Sequence, residues 1–164
     1  MPPRRRFLSA TLSAFSAVLV AAALLAPAAT PARAAETPVQ VVQALYAAHA
    51  LAFADKGPSV TDDAGRAGRY FTPAVAKAMA AKELSFDPLY DGQDAKITRF
   101  AVSAHPKRKT GADRAYVLVS FRNFGEAVSH TFVLVPVKVG TETVWRIDEI
   151  ESKNWSLRKL IDLK

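Results

Sequence analysis

The sequence predicts an α+β fold, in which N-terminal helices pack on a curved antiparallel sheet of about four strands and a short helix closes the chain. Two observations lead to this prediction. Residues 37–83 contain helix-capping sequences and helical apolar periodicity, whereas residues 97–150 contain four β-branched and aromatic runs separated by short turns. The 164 residues are 50% apolar and 23% charged, a balance that indicates one globular domain and excludes a disordered or collagen-like protein.

The first helix is predicted from a capping box at its start. Pro38 follows Thr37, and Gln40 stands where its side chain can return to the threonine, as in helix N-termini whose free N–H groups are satisfied. The helix is expected to run to about Asp55. One apolar stripe at helical intervals should face the core. Its members are Val42, Leu45, Tyr46, His49 and Phe53.

A loop, a second helix and four strands follow. Turn-forming residues predict a loop from Lys56 to Arg66, and the pair Thr72-Pro73 predicts a helix to about Glu83. Pro136 lacks a backbone donor, so we expect it at a sheet edge or beside a bulge. The predicted strands are residues 97–104, 115–121, 131–139 and 144–150, and a short helix is expected after residue 156.

The first 34 residues have the composition of a secretory signal peptide. Arg4, Arg5 and Arg6 precede an apolar run from Phe7 to Leu25, and Ala32-Arg33-Ala34, with its two small residues, forms a cleavage-like site. The run is about as long as a membrane anchor of roughly 20 residues. The cleavage-like site and the nearby prolines favour removal of residues 1–34. We therefore expect a single α+β domain, residues 35–164, that is periplasmic or secreted and has no stable membrane anchor.

Two export routes fit this leader. Arg4-Arg5-Arg6-Phe7-Leu8 resembles the twin-arginine pattern, which directs the export of folded proteins, although Pro3 stands where that pattern usually has Ser or Thr. A run of arginines before an apolar segment serves the general pathway equally well. Fusing residues 1–40 to a reporter and blocking each pathway in turn decides between them.

Charge and cysteine content exclude several functions. The net charge of +7 comes largely from four leader arginines, and residues 35–164 carry 18 basic and 15 acidic residues, a net charge of +3. Nucleic acid is therefore not an expected partner. The chain has no cysteine, which excludes disulfides, thiolate catalysis and Fe–S clusters.

Basic residues at the first hairpin predict a solvated loop that resists edge pairing, with weak electrostatic docking to an envelope partner as the alternative. They are Lys107, Arg108, Lys109 and Arg114.

Four segments of the chain carry a resemblance to a known family: residues 70–73 (YFTP), 86–89 (FDPL) with Gln93-Asp94, 145–150 (WRIDEI) and 156–158 (SLR). Together they resemble a family of small exported bacterial proteins that is known as a domain of unknown function and has lipoprotein members in the enterobacterial envelope. The resemblance covers about residues 38–163. It implies an envelope location and a cone-like fold similar to nuclear transport factor and ketosteroid isomerases, and it supplies no catalytic residues. Unlike the lipoprotein members, this chain has no cysteine to carry a lipid.

Two polar groups are candidates for a site. Asp87, Asp91 and Asp94, with Gln93 between them, could bind calcium, but their spacing lacks the alternate ligands of an EF-hand loop, and Asp-Pro and Asp-Gly pairs favour turns. His49 could act as an acid–base in a concave site, or it could be a hydrogen-bonded core histidine. His105 and His130 lack zinc-ligand spacing.

The leading prediction is an exported envelope protein that acts as a non-enzymatic binding module for an envelope protein partner. The alternative is a small-molecule enzyme or carrier that uses a concave pocket between the first helix and the sheet. No catalytic residue, metal or cofactor is predicted, because the chain has no nucleophile, phosphate-loop or dinucleotide motif. The candidate ligand-binding residues are Tyr46, His49, Tyr70, Asp87, Gln93, Asp94 and Arg146.

Overall fold

The structure of this chain is a computed structural model that describes residues 35–54 and 59–164. The expected signal peptide, residues 1–34, lies outside the described residues. The predicted α+β fold is confirmed. Its elements in chain order are α1 (Pro38–Ala54), α2 (Ala64–Ala67), α3 (Pro73–Ala80), β1 (Ile97–Ala104), β2 (Ala115–Asn123), β3 (Glu126–Val139), β4 (Glu142–Glu151) and α4 (Leu157–Leu160).

Helix α1 begins with the predicted capping box. The Thr37 backbone N–H donates to Gln40 Oε1 at 2.8 Å, and the Gln40 N–H donates to Thr37 Oγ1 at 3.3 Å. The prediction that Phe53 is buried is wrong, since 46% of its surface is exposed. Its ring packs edge-on against Tyr90, with centroids 5.9 Å apart, and this contact covers one side of the ring. The buried residues of α1 are Val41, Val42, Leu45, Tyr46 and His49.

Several element boundaries differ from the predictions: α3 ends at Ala80 rather than near Glu83, and β4 begins at Glu142 rather than at residue 144. Helix α2 lies inside the predicted loop, where Asp63 Oδ1 accepts the Arg66 N–H at 2.8 Å and caps the helix. Strand β3 begins at Glu126 rather than near residue 131, because Val128 is the only large apolar residue among residues 126–129, which is too few to show an alternating pattern.

The four strands form one antiparallel sheet in the order β1-β2-β3-β4. Strand β2 pairs with β3 as far as Leu134, so Pro136 lies beyond β2 and pairs with Trp145 of β4. The register also shifts between Val133 and Leu134. The predicted edge position of Pro136, next to a bulge, is therefore confirmed, and its missing N–H interrupts no pairing with β2.

The two outer edges of the sheet differ. The segment before α3 covers β4, because the Ile147 N–H donates to the Tyr70 carbonyl at 2.8 Å and the Thr72 N–H donates to the Ile147 carbonyl at 2.9 Å. Phe71 thereby forms a parallel bridge with Ile147. Within the described part of the chain, no strand pairs with the outer edge of β1. In the described structure, the outer edge of β4 is therefore covered by the segment before α3, whereas the outer edge of β1 is not covered by any strand.

The capping box predicts the first stability measurement. Thr37→Ala removes the side chain that accepts the Gln40 N–H, and we expect the free energy of unfolding to fall by about 1 kcal/mol. Thermal unfolding should show this as a decrease of about 4 °C in Tm for a domain of this size. Thr110→Ala, in the exposed β1–β2 loop, is the control and should leave Tm unchanged. Equal Tm values for the two variants would contradict the cap.

Candidate functional site

His49 lies at the centre of a buried hydrogen-bond network that joins three segments. Its side chain is 1% exposed, its Nε2 is 2.6 Å from Asp87 Oδ2, and its Nδ1 is 3.2 Å from Ser59 Oγ. A carboxylate accepts hydrogen bonds, so Nε2 is the donor to Asp87, and in the neutral ring Nδ1 accepts from the Ser59 hydroxyl. The core-histidine interpretation of His49 therefore accounts for both ring nitrogens.

Ser59 also forms hydrogen bonds within its own turn, residues 59–62. The Thr61 N–H donates to Ser59 Oγ at 3.2 Å, and the two hydroxyls are 2.8 Å apart. The Ser59 N–H donates to Asp62 Oδ2 at 3.1 Å. Serine, histidine and aspartate are the residue types of a nucleophilic triad, but this hydroxyl already accepts hydrogen bonding from Thr61. We therefore interpret the set Ser59, His49 and Asp87, called the His49 network below, as a structural link.

The three aspartates of the predicted carboxylate cluster have separate partners. Asp87 Oδ1 accepts the Leu89 N–H at 2.8 Å, and Asp91 Oδ1 accepts the Trp155 Nε1–H at 2.7 Å. Asp94 is exposed, and the neighbouring Gln93 donates its Nε2–H to the Ser85 carbonyl at 2.9 Å. These contacts support the turn interpretation. Among the described residues, no group of three His, Asp or Glu side chains could hold a metal ion.

Tyr46 lies between α1 and the sheet and fills the space where a concave pocket was predicted. Its ring centroid is 4.9 Å from that of Phe100 and 5.8 Å from that of Phe132, and its hydroxyl donates to the Leu89 carbonyl at 2.9 Å. Burial raises the pKa of Tyr46 well above its ordinary value, and the negative charge of Asp87 raises it further. Tyr46, His49 and Asp87 thus come together as packed and hydrogen-bonded groups.

Tyr70 and Arg146 lie in a different place, beside the covered edge of β4. Tyr70 is 7% exposed, and the Arg69 guanidinium lies 5.8 Å from the centre of its ring. Arg146 donates from Nη1 to the Trp145 carbonyl at 2.9 Å. Burial lowers the pKa of Arg146, Glu36 raises it, and Arg69 lowers it. The seven predicted ligand-binding residues therefore do not form one pocket.

Two depressions open beside these groups. A cleft of about 490 Å³ lies between the end of α3 and the turn at residues 59–62, and both Ser59 and Asp87 reach it. A more open depression of about 420 Å³ is lined by Tyr70, Arg66 and Arg69, among others. Neither is lined by Tyr46 or His49. No sequence pattern predicts the cleft, because its walls come from separate loops and a helix end.

An aromatic cluster beside the His49 network was missed at the sequence level. Tyr90 lies 4.9 Å from the His49 ring and 6.3 Å from the Phe121 ring. Phe100 lies 6.4 Å from Phe121. Phe53 and Phe100 are 46% and 43% exposed, so the cluster extends from the core to the surface. No single motif indicates this cluster, because its members come from segments that are distant in the chain.

His130 is the second buried histidine, and it differs from His49 in having no hydrogen-bond partner on either ring nitrogen within the described structure. It is 1% exposed and lies between Phe121 and Trp155, with ring centroids at 5.7 and 5.3 Å. Burial lowers the pKa of His130, and the charge of Asp91 opposes this only in part.

No family model, curated protein or solved structure matches the chain. The resemblance to exported envelope proteins therefore stays a prediction. In the part of the chain that the structure describes, no helix has both the length and the apolar content needed to cross a bilayer.

The His49 network predicts unequal effects for two aspartates of the same cluster. Asp87→Ala leaves His49 Nε2 and the Leu89 N–H without their acceptor, and we expect a loss of about 2–4 kcal/mol in the free energy of unfolding. Asp94→Ala, at an exposed side chain, is the matched control and should change it by less than about 0.5 kcal/mol. Urea unfolding measures both, and equal losses would contradict the structural role of Asp87.

His130 predicts a pH-dependent stability. Because burial keeps the folded-state pKa below the unfolded value of about 6.5, the unfolded chain takes up its proton first as the pH falls. The free energy of unfolding should therefore decrease below about pH 6.5. His130→Phe keeps a ring between Phe121 and Trp155 and should make this decrease smaller. Urea unfolding at several pH values measures both proteins, and an unchanged slope in the variant would refute this role.

Proposed function

We propose that this chain is an exported, non-enzymatic binding module of the bacterial envelope that docks a protein partner through an aromatic surface. The observation that carries the proposal is the contrast between its polar and its apolar groups. His49 and Asp87, the residues best suited to acid–base chemistry, bond to each other, with His49 buried and Asp87 at the wall of the cleft. Phe53 and Phe100, in contrast, are nearly half exposed.

The exposed aromatic side chains rest on a packed base. The Tyr90 ring packs against the rings of Phe53 and Tyr46, with centroid distances of 5.9 and 6.0 Å. The Tyr46 ring in turn packs against Phe100, with centroids 4.9 Å apart. Side chains that are already immobilised lose little rotamer freedom when a partner covers them. Aromatic residues with one packed face and one open face are typical anchors of protein interfaces. The exposed residues Phe53 and Phe100 are called the aromatic surface below, and the buried residues Tyr46 and Tyr90 form its base.

The proposal that the protein is exported is supported by the leader sequence alone. Its three consecutive arginines, apolar run and small-residue site support secretion, and the absence of cysteine from the whole chain is consistent with a domain that needs no disulfide outside the cytoplasm. The partner would then be another component of the envelope.

A small-molecule carrier or enzyme is the second candidate, and the cleft of about 490 Å³ favours it. That volume lies within the range of about 300–1,000 Å³ that ligand sites occupy. Ser59 and Asp87 would supply its polar contacts. A ligand in this cleft should raise Tm, and the rise should disappear in Ser59→Ala.

Site-specific crosslinking in the exported full-length protein distinguishes the two candidates. A photoreactive phenylalanine analogue at position 53 should give a discrete protein adduct in the envelope. The same analogue at Leu51 is the matched control, because Leu51 is 68% exposed on the same helix but lies about 200° around its axis. Adducts at neither position, together with a ligand that raises Tm in the wild type but not in Ser59→Ala, would reject the binding module in favour of the carrier.

A further inference from the structure

Positive charge is concentrated in the β1–β2 hairpin. Residues 96–122 contain seven basic residues and one acidic residue, Asp113, whereas the rest of residues 35–164 contains 11 basic and 14 acidic residues. The small net charge of the domain therefore conceals a strongly basic hairpin on an otherwise acidic domain. The basic residues are Lys96, Arg99, Lys107, Arg108, Lys109, Arg114 and Arg122.

Arg108 fixes the hairpin loop on the sheet. Its guanidinium lies 4.0 Å from the centre of the Tyr116 ring and forms a two-point ion pair with Glu151 of β4. Stacking and ion pairing hold the Arg108 side chain on the sheet, although 37% of it remains exposed. Lys107 and Lys109 on either side are exposed, so the anchored loop holds two cations at the C-terminal end of β1.

The backbone of β1 is available on the side away from β2. The His105 N–H donates to the Tyr116 carbonyl at 3.0 Å, so His105 faces β2. In an antiparallel ladder the residues alternate between facing the neighbour and facing away. Val102 and Ala104 therefore present their N–H and C=O groups to the open edge. Ala104 is exposed, and no strand of the described chain pairs with this edge.

Phe100 places an apolar side chain beside this edge. The register shifts between Thr98 and Ala101, and Arg99 has a φ of 54° at this bulge. The Phe100 ring packs on Tyr46 and Phe121 and remains 43% exposed. Free backbone groups, an apolar contact and cations at both ends of one strand are the features that an extended acidic peptide would contact.

We propose that the open edge of β1 binds an extended acidic segment of a partner protein as an added antiparallel or parallel strand. The segment bonds to the backbone of Val102 and Ala104, places an apolar side chain on Phe100, and pairs its carboxylates with the lysines at the two ends of β1. This inference rests on the proposed binding function and names the partner's chemistry. A second copy of this chain fits less well, because pairing β1 with β1 brings two basic hairpins together.

The test uses full-length mature protein and synthetic peptides of about eight residues, the length of a long strand. The first peptide alternates Glu and Val with one central Tyr, and the second carries Lys in place of each Glu. We expect fluorescence anisotropy to show binding of the acidic peptide and not of the basic one. The affinity should fall as salt is raised, because the contacts between opposite charges are screened.

Two pairs of variants locate the binding. Ala104→Pro removes the outward N–H and should weaken binding at least about fivefold, the equivalent of one backbone hydrogen bond, whereas Ala104→Ser should not. Lys107→Glu with Lys109→Glu should weaken binding about tenfold at low salt. Lys138→Glu with Lys153→Glu, which changes exposed lysines elsewhere to the same extent, is the matched control. Circular dichroism confirms that each variant is folded.

Each result has a defined meaning. Equal binding by wild type and Ala104→Pro, or by the two charge-reversed proteins, overturns the inference. Binding to phosphatidylglycerol vesicles or to a single-stranded oligonucleotide that Ala104→Pro leaves unchanged also overturns it, because the strand edge would then not be used. If position 53 still gives its crosslinked adduct while the acidic peptide does not bind, the binding module stands and this site fails. If neither the adduct at position 53 nor the binding of the acidic peptide is found, the proposed binding module is rejected together with this site.

Discussion

The hydrogen bond between His49 and Asp87 joins α1 to a loop whose other groups contact both α1 and the C-terminal segment. It ties α1 to the loop of residues 87–92, at a distance of 2.6 Å and with a histidine that is almost fully buried. Once this loop is held, the Leu89 carbonyl is placed to accept the Tyr46 hydroxyl. Asp91 of the same loop accepts the Trp155 indole N–H near the C-terminus. A buried ion-pair or hydrogen-bond partner is costly to leave unsatisfied, so this single contact constrains several segments at once.

The sequence predicted those elements whose determinants are local. A capping box and an apolar stripe defined α1, and β-branched runs between turns defined the hairpins. The periodicity also indicated that His49 faces the core, but periodicity reports burial and not the bonding partner. Asp87 lies 38 residues further along the chain, and its pairing with His49 depends on how the intervening segments fold back. The predicted burial of Phe53 was wrong for a related reason. An apolar stripe shows which side of a helix faces the core, but it does not show how far neighbouring side chains extend over that side.

The two edges of the sheet are protected by different means. At β4, backbone hydrogen bonds from the Tyr70–Thr72 segment occupy the free groups of Ile147. At β1, a bulge at Arg99 and exposed basic side chains discourage uncontrolled pairing. Positive charge repels a second basic strand and attracts an acidic one, so the residues that oppose pairing between two copies would also favour the acidic partner proposed above. A net charge summed over the domain hides this, because the acidic remainder cancels half of the hairpin's excess.

The His49 network and the β1 edge support the aromatic surface from two sides. Tyr90, which follows Asp87 in the chain, packs on the His49 ring and carries Phe53. Phe100 belongs to β1 and reaches the same cluster through Tyr46. Damage to the network should therefore disturb the aromatic surface and the stability together, whereas a change at the outward backbone of β1 leaves the interior contacts in place. This separation allows the proposed binding to be tested apart from folding, because the groups that hold the domain together face inward and the groups that the proposed partner would contact face outward.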